Sequence, residues 1–182
     1  MRKLSLLRKI YIAVKHFLWE LDHKKISVLS QFVAENKPDM EKFKIFVSDS
    51  LPAIEQLKED LGEFGGKLDF TKKSLKLFEE EIIRRKRMGV LKMYEKWYIV
   101  RIAYYYGEVL IKQFGGKWDY DIERKSANYC QPVINGIDKK SRYDVPASPL
   151  SLALNFFVKE DTSLLMRSYN YFETLHNGEN RK

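Results

Sequence analysis

The sequence predicts an α+β fold, a mainly helical body with a small antiparallel β-sheet in its C-terminal half. Three observations carry this reading. Apolar residues recur at steps of three and four through most of the chain. After Gly115-Gly116 the texture changes: Trp118, Tyr120 and Ile122 alternate with polar residues, as do Tyr129, Gln131 and Val133. Asn135-Gly136 then supplies the strongest short hairpin signal available.

The chain has 182 residues, of which 45% are hydrophobic and 14% aromatic. That is enough to bury one core, so wholesale disorder is excluded and residues 1–182 read as a single domain. With 9 Gly, 5 Pro and one cysteine, collagen-like and disulfide-stapled folds are excluded too.

Taken in order, Leu4, Leu7, Tyr11, Val14, Leu18 and Leu21 form one stripe of an amphipathic helix. Residues 1–33 carry seven Lys/Arg against two Asp/Glu, so this segment is a basic helix, packed on the core or held out as an arm. It opens like a signal peptide, but Arg8, Lys9, Lys15 and His16 interrupt any apolar run. No stretch approaches 18 uncharged apolar residues either, so a cytoplasmic, soluble protein is expected.

Pro38-Asp39 marks a helix start, with Met40, Phe43, Phe46 and Val47 as its apolar face. Ser50-Leu51-Pro52 suggests a second start, followed by Ile54, Leu57 and Leu61 and ended by Gly62 or Gly65-Gly66. Lys67 to Phe70 reads as extended. Thr71 or Ser74 then caps a helix burying Leu75, Leu77, Phe78, Ile82 and Ile83. Its outer face is expected to hold Glu79-Glu80-Glu81 and Arg84-Arg85-Lys86-Arg87. Glu80–Arg84 and Glu81–Arg85 are favourably ordered i,i+4 pairs, and cations suit a helix C-terminus. The basic run therefore reads as a self-neutralised face.

The longest helix is expected from Val90 to Gln113. Tyr94, Trp97, Tyr98, Tyr104, Tyr105 and Tyr106 surround it, which implies a central, buried position with hydroxyl partners inside the protein. The returning strand should run from Ile137 to Tyr143, and Pro146 and Pro149 end the sheet. Ser148 or Ser151 starts a helix containing Leu152, Leu154, Phe156 and Phe157. Asp161-Thr162 caps a last one with Leu164, Leu165, Tyr169 and Phe172; the tail at 177–182 is polar and expected to fray.

Motifs for chemistry fail one by one. Lys67 and Lys117 follow glycine pairs, but Leu68 and Trp118 stand where a phosphate loop needs Ser or Thr. No G-x-G-x-x-G, H-E-x-x-H, cysteine pair or G-x-S-x-G occurs. Asp119, Asp121 and Glu123 begin like an oxygen-ligand loop, yet Arg124 and Cys130 occupy its required Gly and Glu positions. Cys130 has no disulfide partner, and His16, His23 and His176 are remote in sequence. Glu108, among tyrosines, is the carboxylate most open to a shifted pKa, with a structural hydrogen bond the simpler role. No catalytic residue, metal ligand or cofactor is expected.

Phe64-Gly65-Gly66-Lys67-Leu68-Asp69-Phe70 is echoed fifty residues on as Phe114-Gly115-Gly116-Lys117-Trp118-Asp119-Tyr120, and both copies read as helix, glycine cap and strand. The first copy runs on through Thr71-Lys72-Lys73-Ser74-Leu75, and Tyr104-Tyr105-Tyr106-Gly107-Glu108-Val109-Leu110 leads into the second. Together, across roughly residues 50–150, they resemble a loose group of small bacterial proteins of unknown function that are immunity-protein-like. The landmarks are fold determinants, and the resemblance carries over no site. It implies a non-enzymatic binding protein that neutralises a cognate toxin by occluding it. With a net charge of +8, a toxin with an acidic face is the expected partner. Exposed members of Tyr129, Arg142, Tyr143, Tyr169 and Tyr171 are the candidate anchors. The alternative is a nucleic-acid or anionic-membrane-surface binder using Arg2, Lys3, Arg8, Lys9 and Lys15.

Overall fold

The computed structural model describes residues 38–91, 95–137 and 145–178. The basic segment 1–33, Tyr94, most of the expected strand 137–143 and the end of the tail lie outside the described residues. Helix α1 spans Met40–Leu61, α2 Lys72–Arg87, α3 Glu95–Phe114, α4 Pro149–Lys159 and α5 Leu164–Asn177; strands β1 (Lys117–Tyr120) and β2 (Pro132–Asn135) form the sheet. The fold is α+β, mostly helical, with its two-stranded antiparallel sheet in the C-terminal half.

Asp39 starts α1 by accepting the backbone N–H groups of Glu41 and Lys42 on Oδ1. One helix then runs through Pro52 where two were expected. Proline removes the N–H that would meet the Ser48 carbonyl, but Ser48 and Pro52 are both exposed, so water can satisfy that oxygen. Leu61 ends α1, and Gly62 (φ 64°) opens a 3-10 turn over Gly62–Lys67.

The glycine echo is therefore two different solutions. Gly65 lies inside that turn, where a Cβ would stand 1.9 Å from the Lys58 carbonyl oxygen. Gly115 and Gly116 stop α3 at positive φ and feed β1. Lys67–Phe70 forms no strand; Phe70 is left-handed at φ 64°, and its carbonyl accepts from the Gln113 side chain.

Thr71 and Ser74 make a capping box at α2. Its inner face holds Leu75, Phe78, Ile82 and Ile83, as spacing predicts, with Leu77 half-buried. The acidic run departs from expectation: Glu80 is exposed, but Glu79 and Glu81 are buried. Glu81 takes both Arg84, at i,i+3, and Arg85, at i,i+4. Arg85 also donates to the carbonyls of Asp60 and Leu61, so it satisfies the open C-terminus of α1. The basic run thus holds helix ends together where a solvated face was expected.

Val90 closes the turn after α2 through a bond to the Arg85 carbonyl, and α3 begins beyond it. Helix α3 is central, packing against α1, α2, α4 and α5. Residues 101–107 and 109–110 are all buried.

Lys117 pairs with Asn135 and Tyr120 with Pro132. A two-residue Asn135-Gly136 turn would pair Ile134 with Ile137; instead Ile134 bridges Ala147. The hairpin reading is wrong there: Gly136 has the positive φ the dipeptide favours, but the chain returns only ten residues later. Ser148 and Pro149 open α4, and Asp161 accepts from Ser163 just ahead of α5.

Candidate functional site

Helix α3 carries three consecutive tyrosines, Tyr104, Tyr105 and Tyr106. Successive helix residues point about 100° apart, so their hydroxyls diverge. Tyr104 donates to the Phe46 carbonyl on α1 at 2.9 Å, Tyr105 meets Ser74 Oγ on α2 at 2.7 Å, and Tyr106 donates to Ser168 Oγ on α5 at 2.7 Å. Burial raises all three hydroxyl pKa values, Tyr105 to about 12. These are neutral pins between helices, and they converge on nothing.

Glu108, half-buried, accepts the Trp118 indole N–H at 2.9 Å. Its partner is therefore the indole of Trp118. The pair sits over Gly107, where a Cβ would lie 2.3 Å from the Trp118 ring. Trp118 meets Phe46 edge-on at 5.3 Å, closing the sheet onto α1.

Two buried ionic groups remain. Arg101 on α3 pairs with Asp60 at 2.5 Å, and its guanidinium lies 3.2 Å from the centre of the Trp97 ring. Burial lowers its pKa to about 10, against the pull of Asp60, so it stays charged at neutral pH. Glu79 on α2 accepts the backbone N–H groups of Leu165 and Met166 on Oε1, while Oε2 is buried with no partner. Burial pushes its pKa up to about 7. Sequence spacing put this residue on the outer face; only the placement of α5 buries it.

Among the residues nominated as partner anchors, the structure separates buried from exposed. Tyr169 is a core residue, 3% exposed, packed on Phe114 at 4.9 Å with the Lys72 ammonium over its ring, so it cannot anchor a partner. Tyr171, two residues on, is 46% exposed and meets Phe172 edge-on. Tyr129 is half-buried against the core in the connection between β1 and β2. Arg142 and Tyr143, like Arg2, Lys3, Arg8, Lys9 and Lys15, lie outside the described residues.

Sequence reading missed the outer ridge of α4. Leu154, named with Leu152, Phe156 and Phe157 as the apolar content of this helix, is 47% exposed, and Val158, one turn on, is 65% exposed. The signal was present: α4 is apolar almost all round, more than one buried face needs.

No family model, curated protein or solved structure matches this chain. Among the described residues, no group of three or more His, Cys, Asp or Glu is placed to hold a metal, and no helix is long and apolar enough to cross a membrane.

Proposed function

We propose that this chain is a non-enzymatic binding protein that acts by covering a partner protein's surface, and that the partner is a toxin it neutralises. One observation carries the binding part. The hydroxyls of Tyr104, Tyr105 and Tyr106 are each used up on a different helix, while Tyr171, Leu154 and Val158 stand exposed. The interior chemistry holds a rigid scaffold, and the surface carries the aromatic and aliphatic groups that interfaces use. For the class of partner we rely on the sequence resemblance of residues 50–150 to immunity-like bacterial proteins alone, and on that reading the protein acts in the cytoplasm. Occlusion at standard size needs about 800 Å² per partner. Co-expression with each toxin encoded nearby tests the reading: cells should survive with the intact chain and die without it. Survival unchanged by the chain, for every such toxin, refutes it.

One observation favours a second reading. Over the described residues Lys plus Arg balance Asp plus Glu, so the whole net charge of +8 resides in the remaining segments, mostly in residues 1–37. A basic segment on an electrically balanced body suits binding to nucleic acid or an anionic membrane surface. Replacing Arg2, Lys3, Arg8, Lys9 and Lys15 by Gln should then abolish salt-sensitive retention on heparin. No retention by the unaltered chain sinks this second reading.

A further inference from the structure

Scattered exposed apolar side chains are normal, but a contiguous patch calls for a reason. Leu154 and Val158 form an exposed i,i+4 ridge that continues the row of buried Leu150 and flanks the face of α4 on which Ala153, Phe156 and Phe157 are buried. At the end of this ridge stands the C-terminus of α2. Lys86 Nζ donates to the Phe157 carbonyl at 2.6 Å, the oxygen of the peptide bond leading into Val158. Lys86 and Arg87 both reach the Glu160 carboxylate at 3.2 Å. These bonds fix Met88 and Val90, 55% and 44% exposed, to the same end of the molecule as Val158. The Arg84 guanidinium contacts the Met88 sulfur, so a cation borders the apolar group directly.

Charge around the patch is uneven. Arg84 and Arg85 share one carboxylate, Glu81, and Lys86 and Arg87 share one, Glu160. Lys159, exposed beside Val158, adds to the excess, which Glu80, a turn back on α2, offsets in part. An apolar centre with a cationic rim complements an apolar centre with an anionic rim. A protein fits better than a lipid surface, because these cations already hold carboxylates and orient a partner more than they collect headgroups.

We infer that the outer ridge of α4 and the C-terminal end of α2 form a docking surface for a partner protein whose apolar patch is rimmed by carboxylates. This rests on the reading of the chain as a binding protein, and it names the face and the partner's chemistry.

The test uses the full chain and two synthetic amphipathic helical peptides with the same leucine ridge, one flanked by Glu and the other by Lys. In an NMR titration the Glu-flanked peptide should shift the amide signals of Met88, Val90, Leu154 and Val158. The Lys-flanked peptide should bind about tenfold more weakly or not at all. Leu154→Glu with Val158→Glu should abolish the shifts. Lys159→Glu, at an exposed position, should weaken them while the amide signals of the free protein change only in the last turn of α4. Equal binding of both peptides, shifts confined to other surfaces, or shifts of these residues by phosphatidylglycerol vesicles in place of the Glu-flanked peptide would each overturn the inference. Toxin rescue separates the two levels. If the unaltered chain rescues and the Leu154→Glu/Val158→Glu variant rescues equally, the binding reading stands and this face is wrong.

Discussion

Glu79 Oε1 accepts the backbone N–H of Leu165 at 2.6 Å, a bond from the middle of α2 to the first turn of α5 across 86 positions of sequence. Met166 donates to the same oxygen at 3.2 Å. Ser163, at the N-cap of α5, makes no side-chain cap bond, so a carboxylate from another helix supplies it.

That carboxylate makes stability depend on pH. Burial raises the Glu79 pKa from 4.5 to about 7; the two N–H bonds oppose this, nearby Asp161 adds to it, and Arg167 opposes it. Tyr106 on α3 faces it too, but stays neutral throughout this range. The folded state therefore holds a proton that the unfolded chain releases. The stabilisation is fully present below pH 4.5 and is lost as pH rises through about 7. A shift of this size amounts to about 3 kcal/mol, most of it lost between pH 5 and pH 8. Urea unfolding across that range should show the loss, and Glu79→Gln should flatten it. An equally steep dependence in the variant would assign it to another group.

Gly107→Ala should destabilise by about 1–3 kcal/mol, because the new Cβ would lie 2.3 Å from the Trp118 ring and 3.1 Å from Ile134 Cδ1. Trp118 must move, which strains its bond to Glu108. Thermal melts read the loss, and tryptophan fluorescence should shift as the indole leaves its site. A variant with unchanged melting and emission would mean the sheet yields freely from α3.

Local chemistry was legible wherever it is contained in a few residues. Asp39 and Thr71 cap their helices because their side-chain partners lie within three positions, and the apolar spacing of α2 and α5 found Leu75, Phe78, Leu165 and Phe172. What failed depends on distant partners. Glu79 and Glu81 read as solvent-facing because periodicity describes one helix, while the carbonyls and N–H groups they serve belong to α1 and α5, directly or through Arg85. Asn135-Gly136 promised a tight hairpin, but Ile134 bridges Ala147 beyond the reach of a dipeptide signal. For the candidate surface, composition showed that α4 has surplus apolar residues; which of them stay outside was decided by α3 and α5 packing on the other face.

Tyr169 and Tyr171 lie two positions apart and should respond oppositely to truncation. Tyr169→Ala opens a cavity between Phe114 and α2 and should cost about 3–5 kcal/mol. Tyr171→Ala should change stability by no more than about 0.5 kcal/mol. Denaturant titration of both variants makes the comparison. If Tyr171→Ala keeps the stability of the unaltered chain yet fails to rescue cells from the toxin, Tyr171 belongs to the interface, and the contact extends beyond the α4 ridge.

The Arg101–Asp60 pair gives the sharpest contrast between breaking and replacing a buried charge. Arg101 is 1% exposed and held between Asp60 and the Trp97 ring. Asp60→Asn removes the carboxylate bonded to the buried guanidinium and should cost about 3–5 kcal/mol. Arg101→Met with Asp60→Asn removes the charge and keeps much of the side-chain volume, so it should recover most of that loss. Urea midpoints of the single and double variants close the cycle. A double variant no more stable than Asp60→Asn alone would show that Arg101 stabilises α3 through its stacking on Trp97, with the ion pair secondary.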